Sequence, residues 1–492
     1  MSRKSLATEL LEKEQTFLKR RQFLRRCSLG LGSMALGGLL GCGDTTSSPT
    51  GSVERILQDL PHLAPKAKRV IFLHMAGAPS QLELFDYKPK LYELDGQDCP
   101  DSLLNGKRFA FIRGVPKMLG PTVQFAQYGQ SGSYVSELLP HFKEVVDEVC
   151  FLKAVKTDEF NHAPAQLFMH TGSPRSGRPG FGAWVTYGLG SENADLPGFI
   201  VLVSGQSAPS AGKSIWGSGF LPSEYQGVQF RSKGDPVLYL SDPDGVPRDL
   251  RQAAISTINK INRLDYQQAQ DPEILARISQ YELAFRMQMT VPAATDLSTE
   301  PAYVHEQYGT RPGETSFANN CLLARKLVEN GVRFVQLFHR GWDSHGSNEF
   351  ESLDGGFLRR CREIDRPMTA LIKDLKQRGL LEETLVVWGG EFGRTPMQEN
   401  REGITNPFVG RDHHGEAFTM WMCGGGVQPG VTYGATDELG YSAIAGSVHV
   451  HDLQATILHQ LGVDHERLTY RFQGRDFRLT DVHGHVIRDI LA

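Results

Sequence analysis

The chain has 492 residues, 52 Lys and Arg against 56 Asp and Glu, a formal charge of −4 at pH 7, and 40% hydrophobic residues. These values are typical of soluble globular proteins and exclude a disordered chain, a collagen-like repeat, a coiled coil and a small disulfide scaffold. The slightly acidic total also argues against nucleic acid as a partner, because phosphate binding requires a clustered basic surface.

The charge is unevenly distributed along the chain. The first 42 residues hold eight basic and three acidic side chains, a net of +5, which leaves −9 for the remaining 450. An apolar, glycine-rich run from Cys27 to Leu40 follows the basic residues and is too short to span a bilayer convincingly. The order basic, apolar, small is typical of a cleavable export signal.

Two motifs refine this prediction. The segment Lys19–Arg25 resembles the twin-arginine export motif, which the twin-arginine translocase recognises. Leu39–Cys42 resembles a bacterial lipobox, with Cys42 as the lipid-bearing first residue; an ordinary signal peptide with an incidental cysteine is the alternative. We therefore expect a signal over residues 1–42, a polar tether over 43–67, and a lipid-anchored protein in the periplasm or cell envelope.

Residues 68–492 show no linker and no internal repeat, so we predict one domain. Short apolar runs rich in β-branched residues alternate with amphipathic segments, which indicates an α/β fold with a central, mostly parallel sheet. Removal of the leader leaves five scattered thiols, which we expect to be buried and free rather than a disulfide framework. They are Cys99, Cys150, Cys321, Cys361 and Cys423.

The predicted elements follow in chain order. The first strand is Arg69–His74, and two helices with core-facing stripes follow the middle of the chain. One stripe contains Ile255, Ile258, Ile261 and Leu264; the other, after an Asp271 cap, contains Ile274, Ile278, Tyr281 and Phe285. The C-terminal half predicts a helix to Glu329 stopped by Gly331, strands Val332–Phe338, Leu385–Trp388 and Phe418–Cys423, and a helix Asp452–Leu461.

Three polar segments flank these C-terminal strands. Asp343 and His345 follow the first, Glu391 and Arg394 follow the second, and His413 and His414 immediately precede the third. Each segment alone also fits a capped turn or a surface loop. Together, carboxylates and imidazoles near neighbouring strand ends are what a divalent ion such as zinc or manganese requires, and Arg394 could neutralise an anionic substrate.

These residues resemble, in order and spacing, the C-terminal metal ligands of the alkaline phosphatase-like superfamily, which implies its three-layer sandwich fold. The step from His345 to Glu391 is 46 residues, and that from Glu391 to His413 is 22. The superfamily carries an Asp-His pair on the middle strand, where this chain has Glu391 followed by Phe392. A complete second metal site is therefore not expected.

The segment Asn161–Gly172 resembles the nucleophile motif of sulfatases, Cys-x-Pro-Ser-Arg followed by a helix ending Thr-Gly. In this alignment His162 stands where the nucleophilic cysteine would be, so formylglycine chemistry is excluded. His162 is a candidate nucleophile, general base or further metal ligand, and a helix-capping or core histidine is the alternative. The first strand offers His74, a possible ligand, and Ser80, which we interpret as part of a Pro-Ser turn.

Residues 68–492 as a whole resemble the sulfatase-like domain-of-unknown-function family fifteen-oh-one. The segments that carry this resemblance are Gly77–Ser80, Phe85–Pro89, Asn161–Ser173, Gly177–Pro179, Gly182–Trp184, Tyr187–Gly190, Trp342–Gly346, Glu391–Pro396 and Gly474–Asp476.

This resemblance implies the fold and export. Together with the candidate metal ligands, it leads us to expect an exported, metal-dependent hydrolase of sulfate or phosphate esters. The likeness to sulfatases implies a sulfated or phosphorylated glycan as a candidate substrate. Asp343, His345, Glu391 and His413 or His414 would hold a divalent ion (zinc, manganese or calcium). His162 would be the nucleophile or base, with Asn161 and Arg394 binding the anion. The alternative is a non-catalytic binding lipoprotein that keeps the fold.

Overall fold

The computed structural model describes residues 60–204, 208–231, 236–237, 247–401 and 403–492. The predicted signal, the lipobox and most of the predicted tether lie outside these ranges. The last part of that tether belongs to the folded unit, because the backbone amides of Leu63 and Ala67 donate to the carbonyls of Gly462 and Gln460. The folded unit therefore begins before the predicted boundary at residue 67.

The described residues form one central sheet of nine strands. The strands are β1 (Arg69–Ala76), β2 (Val149–Lys156), β3 (Phe199–Ser204), β4 (Val228–Phe230), β5 (Phe334–Arg340), β6 (Thr384–Gly389), β7 (Phe418–Cys423), β8 (Thr432–Tyr433) and β9 (Val448–His449). Their order is β8-β2-β7-β6-β1-β5-β3-β4, with β9 beside β8 on the same edge of β2. Every neighbouring pair is parallel except those of β7, which is antiparallel to β2 and β6.

Ten helices surround the sheet in the described part of the chain. They are α1 (Pro89–Leu94), α2 (Asp101–Leu104), α3 (His162–Thr171), α4 (Phe181–Leu189), α5 (Arg248–Ala269), α6 (Pro272–Thr295), α7 (Ala302–Tyr308), α8 (Phe317–Glu329), α9 (Gly356–Gln377) and α10 (Val450–Gln460). None of these described helices has the length and apolar character needed to cross a membrane.

Five two-stranded ribbons complete the architecture among the described residues. They pair Phe125–Tyr128 with Ser133–Ser136, Gly393–Arg394 with His413–His414, Asn400–Arg401 with Ile404–Thr405, Ala435–Thr436 with Ala443–Ala445, and Tyr470–Phe472 with Arg475–Phe477.

Both faces of the sheet are covered by helices. Ile71 and Leu73 of β1 belong to the large apolar core that includes side chains of α8 and α9. On the other face, the ring centroid of Phe72 lies 5.1 Å from that of His170 in α3, and Phe334 lies 5.4 Å from Phe181 in α4. The predicted α/β sandwich with a mostly parallel central sheet is confirmed.

Most predicted C-terminal elements are present, and β7 has the predicted bounds. Strand β5 begins two residues later than predicted. The amide of Val332 donates to Leu327 and closes the end of α8, so Phe334 is the first residue paired with β1. Gly331, with φ of +84°, ends the helix in the left-handed region as expected.

The prediction of a core-facing stripe on α5 is wrong. Ile258, Ile261 and Leu264 are 43%, 60% and 60% exposed, whereas Ile274 and Ile278 of α6 are buried. Helix α5 packs chiefly against α6 rather than against the sheet. Helical periodicity identifies an apolar face but does not say what covers it.

All five cysteines that were expected to remain after removal of the leader are buried and free. Burial raises the pKa of each of these thiols. They pack as small apolar side chains, as predicted.

A fully buried ion pair fixes the loop that leads to His413. Arg411 donates through Nη2 to Glu83 Oε1 at 2.6 Å, and neither side chain is exposed to solvent. Arg411 Nε also donates to the Glu83 carboxylate, while Nη1 donates to the carbonyls of Leu119 and Thr395 and Nη2 to that of Gly120.

We expect Glu83→Ala to lower the free energy of unfolding by about 3–5 kcal/mol, because it leaves the Arg411 charge buried without its partner. Urea denaturation measures this change. Asp98→Ala removes an exposed partner of Lys117, whose side chain is 52% exposed, and should cost under about 1 kcal/mol. Equal losses in the two variants would contradict the role given to the buried pair.

Candidate metal centre

Three parallel strands end beside one another and bring the predicted polar segments together. Strands β6, β1 and β5 are neighbours, and Glu391, Gly77 and Asp343 follow their carboxyl ends. Ligand sites in such sheets form at this edge. His413 arrives on a two-residue ribbon opposite Arg394, and His162 is the first residue of α3.

Three imidazoles converge on one carboxylate oxygen. The Nε2 atoms of His345, His162 and His413 lie 2.8, 3.2 and 3.3 Å from Oδ1 of Asp343. The Nε2 atoms of His345 and His413 are themselves 3.1 Å apart. This places three nitrogen donors and one oxygen donor around a common point.

The opposite nitrogen of each ring is anchored on an acceptor. His413 Nδ1 donates to the carbonyl oxygen of Phe160 at 2.7 Å, and His162 Nδ1 contacts Glu391 Oε1 at 2.8 Å. His345 Nδ1 contacts Glu399 Oε2. Because each of these partners accepts a hydrogen bond from Nδ1, the Nε2 atoms are the ones available to a ligand.

This donor set fits a divalent transition-metal ion. Imidazole nitrogens and a carboxylate oxygen are the ligands that zinc prefers, and outer carboxylates or carbonyls on Nδ1 are the usual support for metal-bound histidines. The side chains of His345 and His413 are 4% and 2% exposed, whereas that of Asp343 is 35% exposed. The arrangement is therefore closed on the protein side and open to solvent at Asp343.

The charged groups at this centre shift one another's pKa values. Burial opposes ionisation of Asp343, but Arg394 and the three imidazoles outweigh it and hold its pKa well below the usual value. Burial also opposes protonation of His162, yet hydrogen bonds to Asp343 and Glu391 raise its pKa to about 9. Burial, with Asp343 acting in the opposite sense, lowers the pKa of His413 to about 3.

Arg394 is part of the framework of this centre. Its guanidinium is fully buried and donates to the carbonyls of Ala78, Arg411 and Gly77. Nη2 also lies 2.6 Å from Oδ1 of Asp343. Its donors are thus directed at the protein, so Arg394 positions Asp343 and contributes positive charge rather than presenting N–H groups to solvent.

Glu391 contacts His162 but is not itself part of the cluster around Asp343. Its Oε1 accepts from His162 Nδ1, from Gln166 Nε2 at 2.9 Å and from the Gly77 amide at 3.0 Å. Its Oε2 faces His74 Nε2 at 3.2 Å. Glu391, predicted as a metal ligand, and His74, a possible one, therefore form a fully buried support for His162.

The assignment of His414 to the metal set is wrong. Its Nε2 points away from Asp343 and donates to the carbonyl of Tyr441 at 2.5 Å. Neighbouring residues of a strand project to opposite sides, so only one of the two histidines can face the cluster. The pairing within the ribbon determines that His413 is the histidine that faces the cluster.

Two further predicted residues occupy defined positions. Asn161 is exposed beside His162 and makes no side-chain capping bond to α3. Ser80 is buried in the turn after β1, and its hydroxyl has no hydrogen-bond partner among the described residues. This location agrees with the turn interpretation of Ser80.

Sequence reasoning missed Glu399 and Asp412. Glu399 is fully buried and holds His345 Nδ1, while Asp412 accepts from the amides of Phe111 and Ile112 and from that of His413. Both carboxylates lie in irregular loops, where no periodicity marks a buried position. The one sequence feature that could have indicated them was their proximity along the chain to Glu391 and His413.

The family of unknown function called "Protein of unknown function (DUF1501)" matches residues 67–491. The chain belongs to this family. The match spans the whole described unit apart from its first few residues and its last one, which agrees with the resemblance found from the sequence motifs. No curated protein sequence matches the chain.

Several solved structures are similar at low identity. The lipoteichoic acid synthase LtaP from Listeria monocytogenes is 10% identical, with a TM-score of 0.37, over 87% of this chain and 80% of that one. The PsFucS1 sulfatase from Pseudoalteromonas sp. is 13% identical, with a TM-score of 0.34, over 85% and 73%. The alkaline phosphatase from the Antarctic bacterium TAB5 is 10% identical, with a TM-score of 0.30, over 80% and 97%.

We expect Glu399→Gln to weaken metal binding by about 10–100-fold, because His345 loses the charged acceptor that orients its ring. Competition with a chromophoric chelator measures the affinity. Glu416→Gln is the control, since Glu416 is exposed and paired with Lys107. An unchanged affinity in Glu399→Gln would show that this carboxylate does not support the metal centre.

Proposed function

We propose that this protein is an exported, metal-dependent hydrolase of sulfate or phosphate esters. The observation that carries the proposal is the convergence of His345, His413 and His162 on Asp343, with every Nδ1 held by an acceptor. A purely structural cluster does not require three Nε2 atoms to face one carboxylate beside a solvent-exposed opening. A reaction centre requires this arrangement.

In this proposal Asp343, His345 and His413 would hold the divalent ion. A bound divalent ion supplies Lewis-acid polarisation of an ester oxygen and a lowered pKa for an attacking group. The protein residues fix the donor atoms in place: Glu399 orients His345, the Phe160 carbonyl orients His413, and Arg394 holds Asp343.

His162 is the proposed nucleophile or general base. Glu391 is fully buried and accepts from Nδ1, which keeps the Nε2 lone pair directed at the open side of the centre. As nucleophile, Nε2 bonds to phosphorus or sulfur while the ester oxygen leaves; as base, it takes a proton from attacking water. With Asp343 engaged by an ion, only Glu391 remains to raise the pKa of His162.

Recognition of an anionic ester requires local positive charge in an acidic protein. Arg394 contributes a positive charge directly beside Asp343. The exposed side-chain amide of Asn161 lies beside His162, where it can donate a hydrogen bond to an ester oxygen. Sulfated or phosphorylated glycans remain the proposed substrate class. Nucleic acid is not a proposed partner.

Export and lipid anchoring remain proposals drawn from the sequence. The segment Lys19–Arg25 is the proposed signal for the twin-arginine translocase, and Cys42 the proposed lipid-bearing residue. They would place the protein in the periplasm or cell envelope, attached to the membrane by its lipid.

A non-catalytic binding lipoprotein is the second candidate, and Phe392 is the observation that favours it. Its ring packs 4.9 Å from His162 and 4.5 Å from His413, measured between centroids, and offers no ligand atom. A protein of this kind would bind an anion at the metal centre without turnover.

We expect His162→Ala to reduce turnover of an aryl sulfate or aryl phosphate by about 10²–10⁴-fold while the metal content stays unchanged. The test combines steady-state kinetics with elemental analysis of the same samples. His141→Ala, which changes a half-exposed histidine paired only with Glu144, is the control.

Three other outcomes are informative. Full turnover in His162→Ala would reduce His162 to a structural residue. Loss of metal in this variant would make His162 a fourth ligand instead of the nucleophile or base. A wild-type protein that contains metal but hydrolyses neither ester would favour the binding lipoprotein.

A further inference from the structure

A second cavity lies at the same edge of the sheet, outside the metal centre. It has a volume of about 630 Å³ and is bordered by the ends of strands β3 and β5, at Ser204 and His339. Helices α7 and α9 and the first turn of α8 form its other walls. This volume is within the range of small-molecule binding pockets.

The lining of this cavity is strongly basic. Arg340, Arg360, Arg362 and Arg366 all border it, against a single acidic residue, Glu363. Burial lowers the pKa of His339, so this ring adds no charge at neutral pH. The amino end of α8, a helix of 13 residues capped by the Ser316 side chain, adds the partial positive charge of the helix dipole.

The four guanidinium groups differ in their partners. Arg366 donates to the carbonyls of Glu306 and Gln307, and Arg360 uses Nη1 on Glu363 at 2.6 Å. The Nε of Arg360 is buried and has no hydrogen-bond partner among the described residues. Arg340 and Arg362 are exposed and form no hydrogen bond or ion pair with any residue that the structure describes.

We propose that this cavity is a binding site for an anionic small molecule, whose phosphate, sulfate or carboxylate group is held by Arg340 and Arg362. Guanidinium groups match these planar or tetrahedral anions through paired N–H donors. Because no described residue engages the guanidinium groups of Arg340 and Arg362, their N–H donors on this concave surface are available to a ligand.

The position of the cavity connects it with the metal centre. Gly341 lines the cavity and precedes Asp343 by two residues, so the two Cα atoms are at most roughly 7 Å apart. Gly341 has φ of +101°, a backbone conformation that favours glycine where the chain passes between the two sites.

In this proposal, a ligand anchored in the cavity presents a second group to the centre at Asp343. This step rests on the proposed function and names its substrate class: a molecule with at least two anionic groups, one held by the arginines and the other presented as the ester.

Binding of glucose 6-phosphate to the protein purified after export, measured by isothermal titration calorimetry with glucose as the neutral control, tests the cavity directly. Arg340→Gln/Arg362→Gln should weaken the binding by roughly tenfold or more, because two charge-assisted contacts are lost. Arg359→Gln/Lys376→Gln removes two charges from α9 outside the cavity and should leave the affinity within about twofold.

Asp343→Asn separates this site from the metal centre. The cavity proposal expects glucose 6-phosphate binding to persist in Asp343→Asn, and loss of binding there would overturn it, since the probe would then occupy the metal centre. Equal affinities in the wild type and in Arg340→Gln/Arg362→Gln would also overturn it. Binding that depends on the arginines in a protein without esterase activity would support the cavity and reject the proposed hydrolase.

Discussion

Oδ1 of Asp343 is the atom on which the arrangement of the candidate site depends. Three imidazole nitrogens and one guanidinium nitrogen approach it within 2.6–3.3 Å. The Asp343 side chain is only 35% exposed, and a carboxylate that loses much of its solvation requires compensating positive charge, which here comes from several distant parts of the chain. Arg394 also binds the carbonyls of Gly77, Ala78 and Arg411, so the same side chain fixes the carboxylate and the loops around it.

The sheet topology explains why these residues meet. Strands β6, β1 and β5 are parallel neighbours, and their carboxyl ends deliver Glu391, Gly77 and Asp343 to one edge. His413 comes from a separate ribbon, whose register opposite Arg394 turns its ring toward Asp343 and turns His414 away. The same edge also carries the arginine-lined cavity, so one side of the sheet would hold both an ester and a second anionic group.

The fold class and part of the site were predictable from the sequence. Asp343 and His345 follow an apolar run, and such strand ends carry functional groups in parallel sheets. The choice between His413 and His414 was not predictable, because it depends on the pairing of His413 with Arg394, which lies 19 residues earlier in the chain. Glu399 and the framework role of Arg394 were hidden for a similar reason: their partners are distant in sequence, and burial in a loop leaves no periodic pattern. For α5, periodicity identified the apolar stripe but could not show that this stripe is exposed.

The candidate site depends on whether Asp343, His345 and His413 hold a metal ion. Elemental analysis of the protein purified after export, with His413→Ala and His414→Ala prepared in parallel, measures this. We expect about one mole of transition metal per mole of wild-type chain, retained in His414→Ala and lost in His413→Ala, with lower thermal stability after chelation. Less than about half a mole in the wild type, with no effect of chelation on stability, would show that these residues do not form a metal centre.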